Sequence, residues 1–521
     1  MIVPVVSFVP VVSVVPIVPI VSFVPVVPLV PFLCVVAVNT RICSRLTPPT
    51  GTSRIRESCN TLKILLVLSP FFGYKKSRFL SAAGVVAARK ETMRHAYLHP
   101  RDELALTLDR IYRFKMTTTS GGNLSVLDEN GDIWITPARL DKGSLKPEEI
   151  VHVKKDGTVT GPYKPSSEYP FHKAIYACRP DIRAVVHAHP VSLVAFSCAK
   201  KTPNARITPL VHGLCKQVAF AKYGIPGSED LGRKLAAHFA KGSDSVILES
   251  HGVCCGGATL HEAYTRFETI QWAAQSEVMA AQLGKPKYLT DAQLAFAAAH
   301  QPKLATFKRG AMTIREKELR CKMCAFVERG YRQGLFSAAT GALSVRLDAD
   351  SFLTTPHGFD RISVSPEDFV LVRNGKQEAG KEATHAAPAH AAVLAAHPDV
   401  GAVITACPPN CLAFSALRQA IDTRTLPECY IFLREVGLIP FEKSICDYDA
   451  IAGQLSMRHP AAVLENNGIM VVGEDMLSAF DKMEVLECSA GTLRQCLPLG
   501  GCTPMGKKVI DDIIHAFNLP K

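Results

Sequence analysis

From Met93 onward the chain is written twice, and this duplication limits the fold more than any single motif. The first passage runs SGGNLSVLDENGDIWITP, LKPEEIVHVKKDG and HKAIYACRPDIRAVVHAHP. The second runs TGALSVRLDADSFLTTP, VSPEDFVLVRNG and HAAVLAAHPDVGAVITACP, and SVILESHGVCCGG is later answered by AAVLENNGIMVVG. The offset is 218 residues from His172/His390 through Pro190/Pro408 and 216 at Gly252/Gly468, so one small gap suffices. A repeat of roughly 200 residues is a domain, not a solenoid turn. The expected division is residues 93–300 and 301–521. Each copy reads as a helix, a Gly-rich turn between strands, a polar loop, a helix (168–178) and the strand IRAVVHAH. A helix (228–241), the strand SVILES and a long helix (259–284) follow. Helices and strands mix without a strict βαβ rhythm, which predicts a layered α/β class.

Residues 1–92 stand apart. They open with a stutter of Val-Pro units and carry no charge before Arg41. The stretch is apolar enough for a bilayer, yet its recurrent prolines break helical hydrogen bonds, and the basic start of a signal peptide is missing. A membrane anchor, a targeting extension and an upstream segment absent from the mature protein all remain open. The segment is expected to be disordered or absent, with Met93 a natural beginning. Of the formal charge of +12, residues 1–92 hold +8 and the remainder +4 without a dense basic cluster, so no nucleic-acid partner is expected. Seventeen cysteines without regular spacing fit reduced thiols. Cys321 and Cys324 form a lone CxxC within an amphipathic stretch. The cytoplasm is the expected location, with membrane contact only if residues 1–40 are retained.

The two copies differ selectively. His187 aligns with Thr405, His189 with Cys407, His251 with Asn467, Glu168 with Ala386 and Asn123 with Ala342, while Pro170/Pro388, His172/His390, Pro190/Pro408 and Gly252/Gly468 match. Polar residues were exchanged and the scaffold was kept, as when one copy loses a site. His187 and His189 lie on one face of a strand, because side chains alternate with period two. Three imidazoles with a carboxylate form the ligand set of a catalytic zinc that keeps a position open, so His187, His189, His251 and Glu168 are the expected metal set. His172 and His212 read as ordinary packed or exposed histidines. The loop Ser120-Gly121-Gly122-Asn123 and the helix start at Ser166-Ser167 can present amides and hydroxyls to an anion.

These motifs resemble the class II aldolase/adducin family in GGNLSV, ITP, KPSSEYPFH, AVVHAHP, YGIPGSEDLG and SHGVCCGG, over about residues 100–285 and weakly over 313–500. The resemblance implies a three-layer αβα domain with a mostly antiparallel central sheet, present twice. It implies one Zn2+ per chain, in the first domain only, held by His187, His189 and His251, with Glu168 at the metal as general acid/base. Gly121, Gly122, Asn123, Thr136, Ser166 and Ser167 would cradle the phosphate of a small phosphorylated sugar. The implied reaction is retro-aldol cleavage of a ketose phosphate through a metal-stabilised enediolate. Epimerase or dehydratase chemistry and a non-catalytic adducin-like scaffold are the alternatives. The chain departs from the family at Ala138-Arg139, where many members have Ser-Gly, and at Gly213, near which aldolases supply a tyrosine to a neighbouring subunit. A homo-oligomer is expected in which the second copy, packed as an intrachain pseudo-dimer, stands in for a neighbouring subunit.

Overall fold

Short strands rich in β-branched residues and flanked by helices must bury both faces, and the layers follow from that alternation. The computed structural model describes residues 98–519, which lie within one compact unit. The extension over residues 1–92 lies outside the described residues. The first copy contributes β1 (Asn123–Leu127), β2 (Ile133–Ile135), β3 (Val151–Val153), β4 (Val159–Thr160), β5 (Ala184–Ala188), β6 (Ala219–Ala221), β7 (Ser245–Leu248) and β8 (Val253–Gly257). Their order is β4-β3-β2-β1-β5-β8-β7-β6, antiparallel except for the β6/β7 pair. Its helices are α1 (Pro100–Arg113), α2 (Tyr169–Cys178), α3 (Val191–Cys198), α4 (Pro209–Cys215), α5 (Glu229–Phe239), α6 (Leu260–Leu283) and α7 (Asp291–Ala299).

Strand β5 shows how the layers divide. Ala184, Val186 and Ala188 join the core that holds Leu104, Leu193 and Phe267 from α1, α3 and α6. Val185 joins the opposite core, with Phe171 and Ile175 of α2 and Leu231 and Leu235 of α5. The result is the three-layer αβα arrangement expected from the sequence.

The second copy repeats it with β9 (Thr306–Phe307), β10 (Ala342–Arg346), β11 (Ser351–Thr354), β12 (Val370–Arg373), β13 (Lys376–Glu378), β14 (Ala402–Ala406), β15 (Gly437–Ile439), β16 (Ala461–Leu464) and β17 (Gly468–Gly473). Its sheet runs β15-β16-β17-β14-β10-β11-β12-β13-β9. The helices are α8 (Ile314–Arg332), α9 (Ala387–Ala396), α10 (Pro409–Leu417), α11 (Pro427–Leu433), α12 (Phe441–Cys446), α13 (Tyr448–Gln454), α14 (Met476–Cys496) and α15 (Lys507–Ala516). The registers correspond: Asn123 pairs with His187 in the first copy, and Ala342 with Thr405 in the second. No helix among the described residues is long and apolar enough to cross a membrane.

A buried polar seam joins the copies. Arg110 of α1 donates from Nη2 to Asp360 Oδ1 (2.9 Å) and from Nη1 to Asp360 Oδ2, and from Nε to the Tyr331 hydroxyl (2.7 Å). Its guanidinium also lies over the rings of Tyr264 and Tyr331. Glu268 of α6 accepts from the Tyr264 hydroxyl (2.8 Å), the Tyr331 hydroxyl and the Ala338 amide. Beside this network α10 packs on α6, with Ala280, Ala413 and Leu417 forming a small shared core. The side chain of Asn466 donates to the carbonyls of Ile207 (3.0 Å) and Lys287 (2.8 Å).

Breaking a buried, hydrogen-bonded ion pair from one side leaves an uncompensated charge, which costs about 3–5 kcal/mol. Arg110→Met is therefore expected to lower the unfolding free energy by about that amount, measured by denaturant unfolding. A second prediction concerns Glu378, which is enclosed by Arg309, Arg320 and Lys381. Burial pushes its carboxyl up, but the Leu371 amide and these cations outweigh burial and hold it at about 2 against the ordinary 4.5. Its stabilisation is complete above pH 4.5 and is lost as the pH falls towards 2. Glu378→Gln is expected to flatten the acid limb of the stability curve over that window.

Candidate functional site

Strand β5 lies between β1 and β8 and ends in His187-Ala188-His189-Pro190. His187 is fully buried beside Phe171. Its Nδ1 lies 2.9 Å from the Val253 carbonyl of β8. That carbonyl can only accept, so Nδ1 carries the proton and the Nε2 lone pair points inward. The third histidine comes from the turn between β7 and β8. Ser250 takes the left-handed conformation (φ +54°) and swings His251 towards the strand end. The following residue must be glycine, because a Cβ at Gly252 would lie 2.6 Å from both the Ala188 carbonyl oxygen and His189 Cδ2.

The three rings close on one another with pairwise centroid separations of 4.8 Å. His187 Nε2 and His189 Nε2 are 2.9 Å apart. Glu168, the residue before α2, sets Oε2 3.1 Å from His187 Nε2 and Oε1 3.4 Å from His251 Nε2. Burial pushes its carboxyl up, but the facing His187 and His251 outweigh it, and the group is held well below the usual carboxylate range. Burial pushes His189 down to about 3 and His251 down to about 4, so both are neutral near pH 7. Ring nitrogens and carboxylate oxygens converge here so closely that a proton or a metal cation must lie between them, and a divalent cation would take the place of the proton through which the imidazoles hold Glu168. Glu168 Oε1 is moreover a buried oxygen without a hydrogen-bond donor. This donor set fits a divalent metal of intermediate softness.

The structure brings Asn123 into the same centre. Its side-chain amide donates to Glu168 Oε2 (2.7 Å), and its Oδ1 meets His172 Nε2 (2.5 Å), whose Nδ1 meets Ser125 Oγ (2.6 Å). Burial pushes His172 down to about 3, so it is a neutral relay that orients Asn123. From sequence His172 read as an ordinary packed or exposed histidine, because it stands alone in its surroundings. In the second copy His390 bonds Ser344 and then Thr405 Oγ1 (2.8 Å), the residue at the place of His187, since Ala342 at the place of Asn123 offers it no oxygen.

Gly121 and Gly122 carry the β1 entry across the strand end. Gly122 has φ +76°, and a Cβ there would lie 2.7 Å from the His187 carbonyl oxygen. Thr136 is fully buried, and its hydroxyl accepts from the Leu124 amide (3.1 Å). Thr355 does the same for Leu343 in the second copy, which makes Thr136 a strand tie as well as a cradle candidate. Ser166 is buried, and its Oγ accepts from the Glu168 amide (3.3 Å); Ser167 is exposed. An antiparallel bridge between Pro137 and Pro165 holds the two segments together. Lys142, unmarked by any sequence motif, donates from Nζ to the Pro137 carbonyl (2.9 Å), and burial lowers it to about 8. Arg361 reaches the Pro356 carbonyl likewise, so a cation in both copies was the available signal.

Elsewhere, Asp128, Asp132 and His152 gather, but their oxygens accept from turn amides and the Trp134 indole. His357 and His385 stack face to face beside Glu382, an exposed arrangement whose parallel rings do not aim at one point.

The sequence model described as "Class II Aldolase and Adducin N-terminal domain" matches residues 102–278 and again 321–493. The chain belongs to this class II aldolase and adducin family. It is 34% identical over 165 residues to an L-fuculose phosphate aldolase of Methanococcus maripaludis, covering 32% of this chain and 88% of that protein. It is 32% identical over 197 residues to a 5-methylthioribulose-1-phosphate/5-deoxyribulose-1-phosphate aldolase of Rhodospirillum rubrum, covering 36% and 88%. A 3-oxo-tetronate 4-phosphate decarboxylase of Escherichia coli is 30% identical over 179 residues, covering 34% and 84%. Each of these class II aldolase relatives is thus about as long as one copy.

The contact at Gly252 gives a direct test. Gly252→Ala forces the β7/β8 turn away from Ala188 and is expected to cost about 1–3 kcal/mol. Titration of the folded variant with divalent metals is expected to show about tenfold or more weaker uptake than in the parent chain, as the turn carrying His251 is displaced.

Proposed function

We propose that the first copy is a zinc-dependent aldolase that cleaves a small phosphorylated ketose, and that the second is a degenerate, metal-free copy. The observation that carries this reading is the convergence of His187, His189, His251 and Glu168 in one copy, against Thr405, Cys407, Asn467 and Ala386 on the same scaffold in the other. The division into domains at 93–300 and 301–521 belongs to the same reading, as does a cytoplasmic location.

The three histidines and Glu168 would hold the metal, and a bound zinc ion would supply Lewis-acid polarisation of the substrate's oxygens. The remaining work falls to side chains of this chain. In retro-aldol cleavage the hydroxyl proton leaves, the adjacent carbon–carbon bond breaks and an aldehyde departs. The electron pair stays on the ketone side as an enediolate, which takes up a proton at carbon. Glu168 is ionised and suited to move that proton through Oε1, since Asn123 occupies Oε2. His172 keeps Asn123 in place. The Gly121-Gly122-Asn123 loop, Thr136 and Ser166-Ser167 would receive the phosphate, with exposed Arg139 and Lys164 beside them.

A second reading, decarboxylation of a phosphorylated 3-oxo acid, is favoured by the similarity to the Escherichia coli decarboxylase. It also leaves an electron pair beside a carbonyl, so the same groups serve it.

The test is metal content followed by turnover. The chain is expected to hold about one zinc, lost in His187→Ala/His189→Ala. Glu168→Gln is expected to lower kcat by about 10²–10⁴ on the ketose phosphate that is turned over. A chain that takes up no divalent metal would overturn the proposal, and carbon dioxide release from 3-oxo acid phosphates without ketose cleavage would select the second reading.

A further inference from the structure

The expected ligands are not all held alike. The Val253 carbonyl meets Nδ1 of His187, Asn123 holds Glu168, and the turn through Ser250 and Gly252 delivers His251. His189 turns Nε2 towards Nε2 of His187 (2.9 Å), and nothing among the described residues bonds its Nδ1. A histidine that gives Nε2 to a metal carries its proton on Nδ1, and a proton there needs an acceptor.

Thr117 stands where that acceptor is needed. The loop from Thr117 to Ser120 turns into Gly121, whose amide donates to the Thr118 carbonyl (3.2 Å). A Cβ on Gly121 would lie 2.9 Å from both His189 Nδ1 and Thr117 Oγ1. The ring and the hydroxyl therefore flank the space that this glycine leaves. Thr117 is only 8% exposed, and its Oγ1 is a buried oxygen without a hydrogen-bond partner. That atom is sealed from solvent, so water does not answer it. Thr118 Oγ1 lies 3.0 Å from the same point, but Thr118 is exposed and has water for its hydroxyl.

A sealed, unbonded hydroxyl destabilises a fold, and an apolar side chain in its place removes the cost. The second copy carries that exchange. With Asn123 aligned to Ala342, Phe336 stands at Thr117, Thr340 at Gly121 and, on the neighbouring strand end, Cys407 at His189. Phe336 is 1% exposed, and the Thr340 hydroxyl is committed to Ser337 of its own loop, accepting from its amide at 3.1 Å. The adjacent Met116 and Leu335 are buried and apolar in both copies. Hydroxyl, glycine and imidazole thus occur together in one copy and are exchanged together in the other.

We infer that Thr117 is a positioning residue of the metal centre. Its hydroxyl accepts the Nδ1 proton of His189 and so holds the ring with Nε2 towards the metal; the inference rests on the zinc reading above. Gly121 gains a task besides the anion loop, because any side chain there would wedge between hydroxyl and ring.

The experiment is the zinc affinity of the full chain, read by competition with a chelating dye, for the parent, Thr117→Val and Thr117→Ser. Thr117→Val keeps the shape and removes the hydroxyl. It is expected to bind zinc about 10–100-fold more weakly, while its metal-free form melts at or above the parent's temperature. Thr117→Ser keeps the hydroxyl and is expected to bind as the parent does. In the zinc-bound parent the His189 Nδ1 proton is expected as a slowly exchanging imidazole signal by NMR, absent from Thr117→Val. Equal zinc affinity of the parent and Thr117→Val overturns the inference and leaves the zinc reading standing. So does a Thr117→Ser as weak as Thr117→Val, or a metal-free Thr117→Val that melts well below the parent, which marks a structural role. A parent chain that binds no zinc overturns both.

Discussion

Glu268 is a carboxylate placed where two domains meet, with side-chain exposure of only 9%. Such a group persists only when its lone pairs are answered. Tyr264, Tyr331 and the Ala338 amide answer them, and Arg110 lies between Glu268 and the Asp360 carboxylate that it clasps. The donors come from both copies, so the network forms only when the two domains meet in one relation. The apolar contact of α10 with α6 supplies much of the attraction, but the polar seam fixes its register.

The candidate metal centre poses a related problem. At the seam donors meet the carboxylate lone pairs; at the end of β5 acceptor atoms converge. His187 is committed by the Val253 carbonyl to facing inward, Glu168 is held by Asn123, and the turn through Ser250 and Gly252 brings His251 against them. His187, Glu168 and His251 are thus each positioned by backbone or by a neutral partner, so the geometry of these three is set by the fold.

Much of this was legible in the sequence. The duplication gave the architecture, and the alternation in AVVHAHP placed His187 and His189 on one face. The comparison of copies singled out His251 and Glu168, because a site lost in one copy is marked by what changed. The same comparison hid His172: a residue kept in both copies reads as scaffold, and its bond to Asn123 is invisible without the fold. Lys142 was missed because its partner is a backbone carbonyl, and only the cation kept at Arg361 in the second copy marks the position. Nor could any local pattern reveal the seam, since Arg110 and Asp360 are 250 residues apart and each alone is an unremarked charge.

Trp272 has a consequence of its own. Its indole, with Leu210 and Thr269, reduces the cavity beside Cys407 to about 20 Å³, room for roughly one water. A sugar phosphate could not enter there even if every lost ligand were restored. On the proposed reading the second copy is closed by shape as well as by the exchange of its ligands, so grafting histidines onto Thr405, Cys407 and Asn467 would build a metal trap rather than a second enzyme.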